Sequence, residues 1–230
     1  MNTLIWRREY GLEKLTADYI SPENETGKQV LFGFDIAARP CLYLNPAKQN
    51  TKTSDRQVQH LVFMLERTID LMPAGQETLS LLINYKGSMT KNPSLSTGKT
   101  ALNILQNHYP ERLGRAMIVN VPYLVKIFFN AITPFIDPRT REKLVFEQPL
   151  QQFVPPAQLM TTHGGDVNFE YDHAVYWPAI QTLTAQKKEA VYERWAKGGR
   201  RIGEYEAYLK GGDVKSLEER EREGAAASKQ

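Results

Sequence analysis

The sequence has one cysteine, Cys41, in 230 residues. A lone thiol excludes an intramolecular disulfide framework and suits a reducing compartment. No C-x-x-C pair is present, and His60, His108, His163 and His173 lack zinc-ligand spacing. No G-x-S-x-G stretch exists, so "HGG" at 163–165 has no nucleophile to serve as an oxyanion loop. "STGKT" at 96–100 ends like a phosphate-binding loop, but Pro93 stands where that loop needs glycine. Nothing assembles a nucleophile, a base and an orienting group, so an enzyme is not expected. Excess charge is also lacking: 29 basic against 26 acidic residues leave +3, with no basic arm for nucleic acid. The start, "MNTLIWRREY", has no apolar signal-peptide core. Long apolar runs are scarce. The most apolar window, residues 117–136, is interrupted by Asn120, Pro122, Lys126, Asn130 and Pro134. It reads as a strand, a turn and an apolar helix rather than a membrane span.

The 41% hydrophobic content is enough for a sizeable core. A short helix is expected from the first residues. "VLFGFDIAARPCLYLN" reads as an apolar start, a charged turn and a strand near residues 40–44. "TSDRQVQHLVFMLERTIDLM" is an amphipathic helix, with Val58, Leu61, Val62, Leu65 and Ile69 at helical spacing. Thr53 or Ser54 is placed to cap it. "TLSLLINYKG", "RAMIVNV" and "EKLVFE" read as strands. "STGKTALNILQNHY" reads as a helix stopped by Pro110, and "YLVKIFFNAITPFI" as a helix apolar nearly all round. "VPPAQLMTTHGG" reads as a short helix closed by Gly164 and Gly165. "DHAVYWPAIQTLTAQKKEAVYERWAKGG" is mostly helix, and the charged tail from Gly198 is expected to fray.

Strands alternating with helices predict an α/β fold with a largely parallel sheet. In such a sheet the strand-entry loops gather at one end. Glu111 and Arg112 precede one strand, Thr140 and Lys143 another, and Asp35 a third. A set of solvated turns reads the same way in sequence.

"HYPERLG", then "NVPYLVKIFFNAITPFIDPRTREKLVF", then "HGGD" resemble the CRAL-TRIO lipid-binding family, and fungal phosphatidylinositol transfer proteins in particular. "ARPCLYL", "NTKTSDRQVQHLVFMLERTIDLMPAGQ" and "DHAVYWPA" extend the resemblance over residues 4–195. Within the family the sequence is most similar to the yeast branch tied to azole resistance and sterol binding. The resemblance implies a mixed, largely parallel sheet flooring an apolar cavity that holds one lipid. It implies a gating helix at about 123–136, with Tyr123, Phe128, Phe129 and Ile132 on it. An ordinary core helix would show the same apolar pattern.

By resemblance, Asp35, Glu111, Arg112, Thr140 and Lys143 fall on positions that read phosphoinositol, with Lys143 meeting the headgroup and Glu111 pairing it in a desolvated port. Members that exchange phosphatidylinositol for phosphatidylcholine hold the choline lipid with two tyrosines, a serine and a threonine. Those positions are Leu31, Leu42, Leu79 and Leu81 here, which implies a sterol rather than phosphatidylcholine as second ligand. Residues 1–20 match the end of a helical subdomain that precedes the lipid domain in the family; its remainder is not in this sequence, through truncation or genuine shortening. Residues 21–197 match the lipid domain, and 198–230 form a charged, partly disordered tail. The implied function is phosphatidylinositol transfer between membranes, with lipid kinases as further partners, no cofactor, and a cytoplasmic location peripheral to the endoplasmic reticulum, lipid droplets or cell periphery. The alternative is a non-transferring lipid-sensing module that recruits a lipid enzyme.

Overall fold

The computed structural model describes residues 2–88 and 95–227. Pro93, the last three residues of the expected tail and Met1 lie outside them. In chain order the elements are α1 (Asn2–Tyr10), α2 (Ala17–Asn24), β1 (Gln29–Phe34), β2 (Pro40–Leu44), α3 (Asp55–Asp70), β3 (Leu79–Asn84) and α4 (Leu95–His108). Then follow β4 (Leu113–Val119), α5 (Tyr123–Ile132), α6 (Pro138–Glu142), β5 (Leu144–Phe146), α7 (His173–Lys197), α8 (Glu206–Leu209) and α9 (Leu217–Ala227).

The sheet order is β1-β2-β3-β4-β5; β1 and β2 are antiparallel and the other pairings parallel. Each parallel step therefore moves to the next strand in the same direction. Right-handed crossovers then place α3, α4 and the α5–α6 pair on one face. On that face Leu42, Leu79, Leu81 and Ala116 share a core with Val62, Leu65 and Ile104 of the helices. The opposite face presents Val30, Cys41, Tyr43, Leu82 and Met117, covered by Leu150, Val154, Leu159 and Met160 from the chain after β5. The alternation of Leu79, Ser80, Leu81 and Leu82 thus splits one strand between two cores.

The amphipathic reading of α3 is right, but its burial is wider than one stripe: Phe63 and Met64 are buried too, with Phe63 stacked on Trp177 of α7 at 5.6 Å. Ser54 occupies its N-cap position without a side-chain capping bond. Two other expectations change. Residues 155–165 form short 3-10 turns, Pro156–Gln158 and Thr161–His163, instead of one helix. Two prolines and the left-handed Gly164 leave no room for continuous helical bonding. Beyond Gly198, α8 and α9 are helical, and Tyr208 is buried with its ring under Arg194. Arg194 donates to the carbonyls of Tyr208 and Gly212, which pins this segment to α7. At the other end of the chain, α1 has partners of its own. Arg7 forms a two-pronged pair with Glu66 at 2.8 and 2.7 Å, and Trp6 stacks on His108 at 4.1 Å.

Candidate functional site

A cavity of about 930 Å³ opens between the sheet and the helices on the α3–α5 face. Its floor is Leu79, Leu81 and Ile83 of β3, Ala116 and Ile118 of β4, and Leu144 of β5. Its walls are Val58, Leu61 and Leu65 of α3, Ala101, Leu102 and Leu105 of α4, and Phe128, Phe129 and Ile132 of α5. Sequence reading missed the α4 wall. Its signal was the pair of small residues Gly98 and Ala101, one turn apart in a helix set aside as a failed phosphate loop. A Cβ on Gly98 would lie 3.1 Å from the Phe128 ring, so the small residue lets α5 come close.

α5 divides its apolar surface between two environments. Phe128, Phe129 and Ile132 face the cavity, with Phe129 edge-on to Phe146 at 5.2 Å. Val125 packs on Ile118 and Val121. Tyr123 and Leu124, 76% and 74% exposed, and Ile127 face outward. Of the four expected gate residues, Tyr123 therefore lies outside the cavity. Both flanks of the helix are tied down. The Glu147 carboxylate accepts from the backbone of Asn120 and Val121 at 3.0 and 2.8 Å. Arg141 donates to the carbonyls of Thr133 and Ile136 at 2.9 and 3.3 Å.

The expected polar residues separate into three groups. Glu111, Thr140 and Lys143 meet at the cavity mouth, where β4 and β5 begin. Lys143 Nζ lies 3.4 Å and Arg139 3.9 Å from the Glu111 carboxylate. Glu111 is 71% exposed, so the pair is not desolvated. An exposed pair of this kind is worth less than about 1 kcal/mol. Thr140 N donates to Asp137, which caps α6 and is held below the usual carboxylate range by its bonds to Thr140. Arg112 lines the cavity, but its guanidinium is engaged outside the pair. It donates to Glu77 O at 3.0 Å and pairs with Glu206 of α8 at 3.4 Å. Asp35 is not at the mouth. It is buried, accepts from the backbone of Ala37 and Arg39, and takes the Ser80 hydroxyl at 2.6 Å. Ser80 points away from the face that carries Leu79 and Leu81, so Asp35 organises the β1–β2 turn on the wrong side of the sheet for the port.

The four leucines also divide. Leu79 and Leu81 line the cavity. Leu31 and Leu42 lie on the same face but under α3 and α7, within the solid core. Sequence reading missed a second polar zone at the far end of the cavity, made by Lys28, Gln29, Asn45 and Gln49. There Lys28 is buried against Glu23 at 2.5 Å, and Thr51 donates to the same carboxylate at 2.7 Å. Burial pulls Lys28 below the ordinary lysine value, against the pull of Glu23. Among the described residues no group of three or more histidine, cysteine or acidic side chains could hold a metal ion.

The family model described as CRAL/TRIO domain matches residues 24–165. The chain belongs to that family. It is 54% identical over 214 residues to a CRAL-TRIO domain-containing protein of Schizosaccharomyces pombe, covering 93% of this chain and 21% of that one. It is 39% identical over 222 residues to the phosphatidylinositol transfer protein PDR17 of Saccharomyces cerevisiae, covering 91% of this chain and 63% of that one. The chain thus spans between a fifth and two thirds of these relatives' lengths. The crystal structure of Sfh5 superposes with a TM-score of 0.58 at 19% identity, over 79% of this chain and 74% of the other, a likeness of fold. The mixed sheet and cavity are the architecture that the sequence resemblance implied.

Proposed function

We propose that this chain binds phosphatidylinositol and carries it between membranes, with a sterol rather than phosphatidylcholine as its second ligand. The observation that carries this reading is one cavity with apolar walls and a cationic, hydroxyl-bearing mouth at Lys143, Arg139, Thr140 and Glu111. Its volume of about 930 Å³ lies at the upper end of the range for small-ligand sites. Burying acyl chains is worth on the order of 0.8 kcal/mol per CH₂, in a bilayer as in the cavity. Chain transfer is therefore nearly neutral, and the headgroup decides selectivity. Lys143 meets the phosphodiester or inositol, Thr140 adds a hydroxyl, and Glu111 accepts from inositol hydroxyls. Arg112 joins only when Glu206 releases it. The phosphatidylinositol transfer protein among the relatives supports the assignment.

The outward residues of α5 rest on the bilayer during exchange, and the helix swings to admit lipid. Apolar Leu79 and Leu81 cannot satisfy a buried choline phosphate, whereas a rigid ligand with one hydroxyl suits them. In this reading the protein is cytoplasmic, visits membranes transiently and supplies lipid kinases with substrate. The test is transfer of labelled phosphatidylinositol, phosphatidylcholine and sterol between vesicles, with a Leu79→Ser, Leu81→Thr variant alongside. The unmodified protein should move phosphatidylinositol and sterol, and the variant should gain phosphatidylcholine. Robust phosphatidylcholine transfer by the unmodified protein would contradict the second-ligand assignment.

A further inference from the structure

The turn between β1 and β2 presents apolar side chains to solvent. Phe34 is 40% and Ile36 63% exposed, and Ala37 and Ala38 are exposed beside them. Asp35, the one charged residue from 31 to 38, is buried beneath them. The loop before β3 widens the patch with exposed, uncharged Pro73 and Ala74. Gln76 of that loop joins it to the turn, its Nε2 donating to Ala37 O at 2.8 Å. Single exposed apolar residues are ordinary, whereas a contiguous group marks a contact surface.

The backbone of the turn indicates the kind of contact. Five consecutive N–H groups are used inside the protein. Asp35 N donates to Arg39 O, Ile36 N to Phe153 O and Ala38 N to Asp35 O, each at 2.9 Å. Ala37 N and Arg39 N donate to the Asp35 carboxylate at 2.8 and 3.0 Å. Lipid chains cannot pair with a backbone N–H, so only a backbone already satisfied enters them cheaply. The turn offers apolar side chains and no N–H from 35 to 39. Ser80 holds Asp35 at 2.6 Å, so the shape is set before any contact.

The patch lies at the mouth end of the sheet, where β2 to β5 all begin. Cys41 is level with Ser80, Ser80 with Arg115, and Ala116 with Leu144. The rim from turn to mouth is continuous. Arg39 Nε donates to Thr78 Oγ1 at 3.0 Å, Arg112 to Glu77 O at 3.0 Å, and Lys143 meets Glu111 at 3.4 Å. With strands about 4.8 Å apart, the turn stands on the order of 15 Å from the mouth. α5 starts at the opposite end of β4, with exposed Tyr123 and Leu124, so the turn is a separate contact.

We propose that the β1–β2 turn is a membrane anchor: Ile36 and Phe34 enter the hydrocarbon edge of a bilayer and seat the mouth at the level of the headgroups. The proposal rests on the transfer reading above and adds which end of the protein meets the membrane. With the mouth at that depth, an inositol headgroup reaches Lys143 without crossing bulk water. Insertion through apolar side chains needs no anionic lipid and survives salt.

The experiment labels Ile36→Cys in the full chain with an environment-sensitive fluorophore. Cys41 is fully buried and stays unlabelled. Vesicles of phosphatidylcholine and phosphatidylinositol should brighten the label, and nitroxide-bearing acyl chains should quench it. A label at Val175 on α7, 66% exposed, should not respond. Ile36→Asp should weaken vesicle binding about tenfold and slow transfer with it. Its urea midpoint and the lipid it retains on purification should be unchanged, and Ile36→Leu should keep full binding. Full vesicle binding by Ile36→Asp, or an unquenched label on vesicle-bound protein, overturns the anchor and leaves the transfer reading standing. Binding that molar salt abolishes does the same. A label that brightens with protein concentration alone assigns the patch to a second copy of the chain and overturns the anchor. If the unmodified protein neither binds vesicles nor transfers lipid, the anchor falls together with the transfer reading.

Discussion

Each end of the cavity has a lysine–glutamate pair, and the two pairs differ in surroundings. At the mouth, Lys143 and Glu111 stand 3.4 Å apart with Glu111 71% exposed. At the inner end, Lys28 and Glu23 stand 2.5 Å apart, 6% and 2% exposed. Water screens the first pair, so its charges can change partners at little cost, as the proposed headgroup exchange requires. Desolvation fixes the second, because either charge alone would be buried without a partner. An exchange site suits exposed charges, and a permanent wall suits buried ones.

The sharpest way to break this comparison is the same substitution at both ends. Lys28→Met strands Glu23 and should lower stability by roughly 3–5 kcal/mol. Lys143→Met should change it by less than about 1 kcal/mol. Urea midpoints decide, and equal losses would remove the distinction.

Acid should act on the buried interior next most strongly. Burial holds the His163 imidazole down to about 4, and keeps His60 well below its ordinary 6.5, with Lys28 adding to the effect. Between pH 6.5 and 4 the unfolded chain takes up protons that the folded chain refuses, so stability falls as pH falls through that window. The His163 share reaches about 3 kcal/mol by pH 4. Thermal midpoints at pH 7.5, 6 and 5 should fall in that order. His163→Gln should flatten the trend, and an unchanged slope in that variant would contradict the assignment.

A smaller effect is expected at the gate. Glu147→Gln weakens two charge-assisted bonds to the backbone before α5, a loss of about 1.5–3 kcal/mol for local opening. Amide exchange at Asn120 and Val121 should quicken about tenfold or more, while amides of β3 keep their protection. Exchange that quickens equally throughout would mean global rather than local loosening. The smallest effect is expected at the tail. Glu206→Gln frees Arg112 from a partly buried pair and also removes the charge that Lys210 meets at 3.2 Å, with about 1 kcal/mol of stability lost and phosphatidylinositol transfer kept or raised. A fall in transfer would contradict the view that Glu206 holds Arg112 out of the port.

Local pattern made much of this legible. Apolar runs located β2 to β5 and α5, helical spacing located α3, the parallel reading gathered Glu111 and Lys143 at one end of the sheet, and the family resemblance paired them. What stayed hidden depended on which face a side chain takes or on contacts distant in sequence. Asp35 precedes a strand as Glu111 and Lys143 do, yet its bond to Ser80 puts it on the other face. Arg112 is adjacent to Glu111, yet its pair Glu206 is 94 residues away in a segment expected to fray. Gln29 and Lys28 sit at the apolar start of a strand and carry no local motif. Only the β1–β2–β3 register brings them to the cavity end.

The central claim is that the exposed pair at the mouth selects the headgroup. Its most direct test is vesicle-to-vesicle transfer of labelled phosphatidylinositol by Lys143→Ala, with the unfolding midpoint measured on the same sample. Once a headgroup covers the mouth, the lost cation leaves a phosphodiester charge without its partner. Transfer should fall at least about tenfold while the midpoint stays unchanged. Near-normal phosphatidylinositol transfer by that variant would show that the mouth is not the headgroup port.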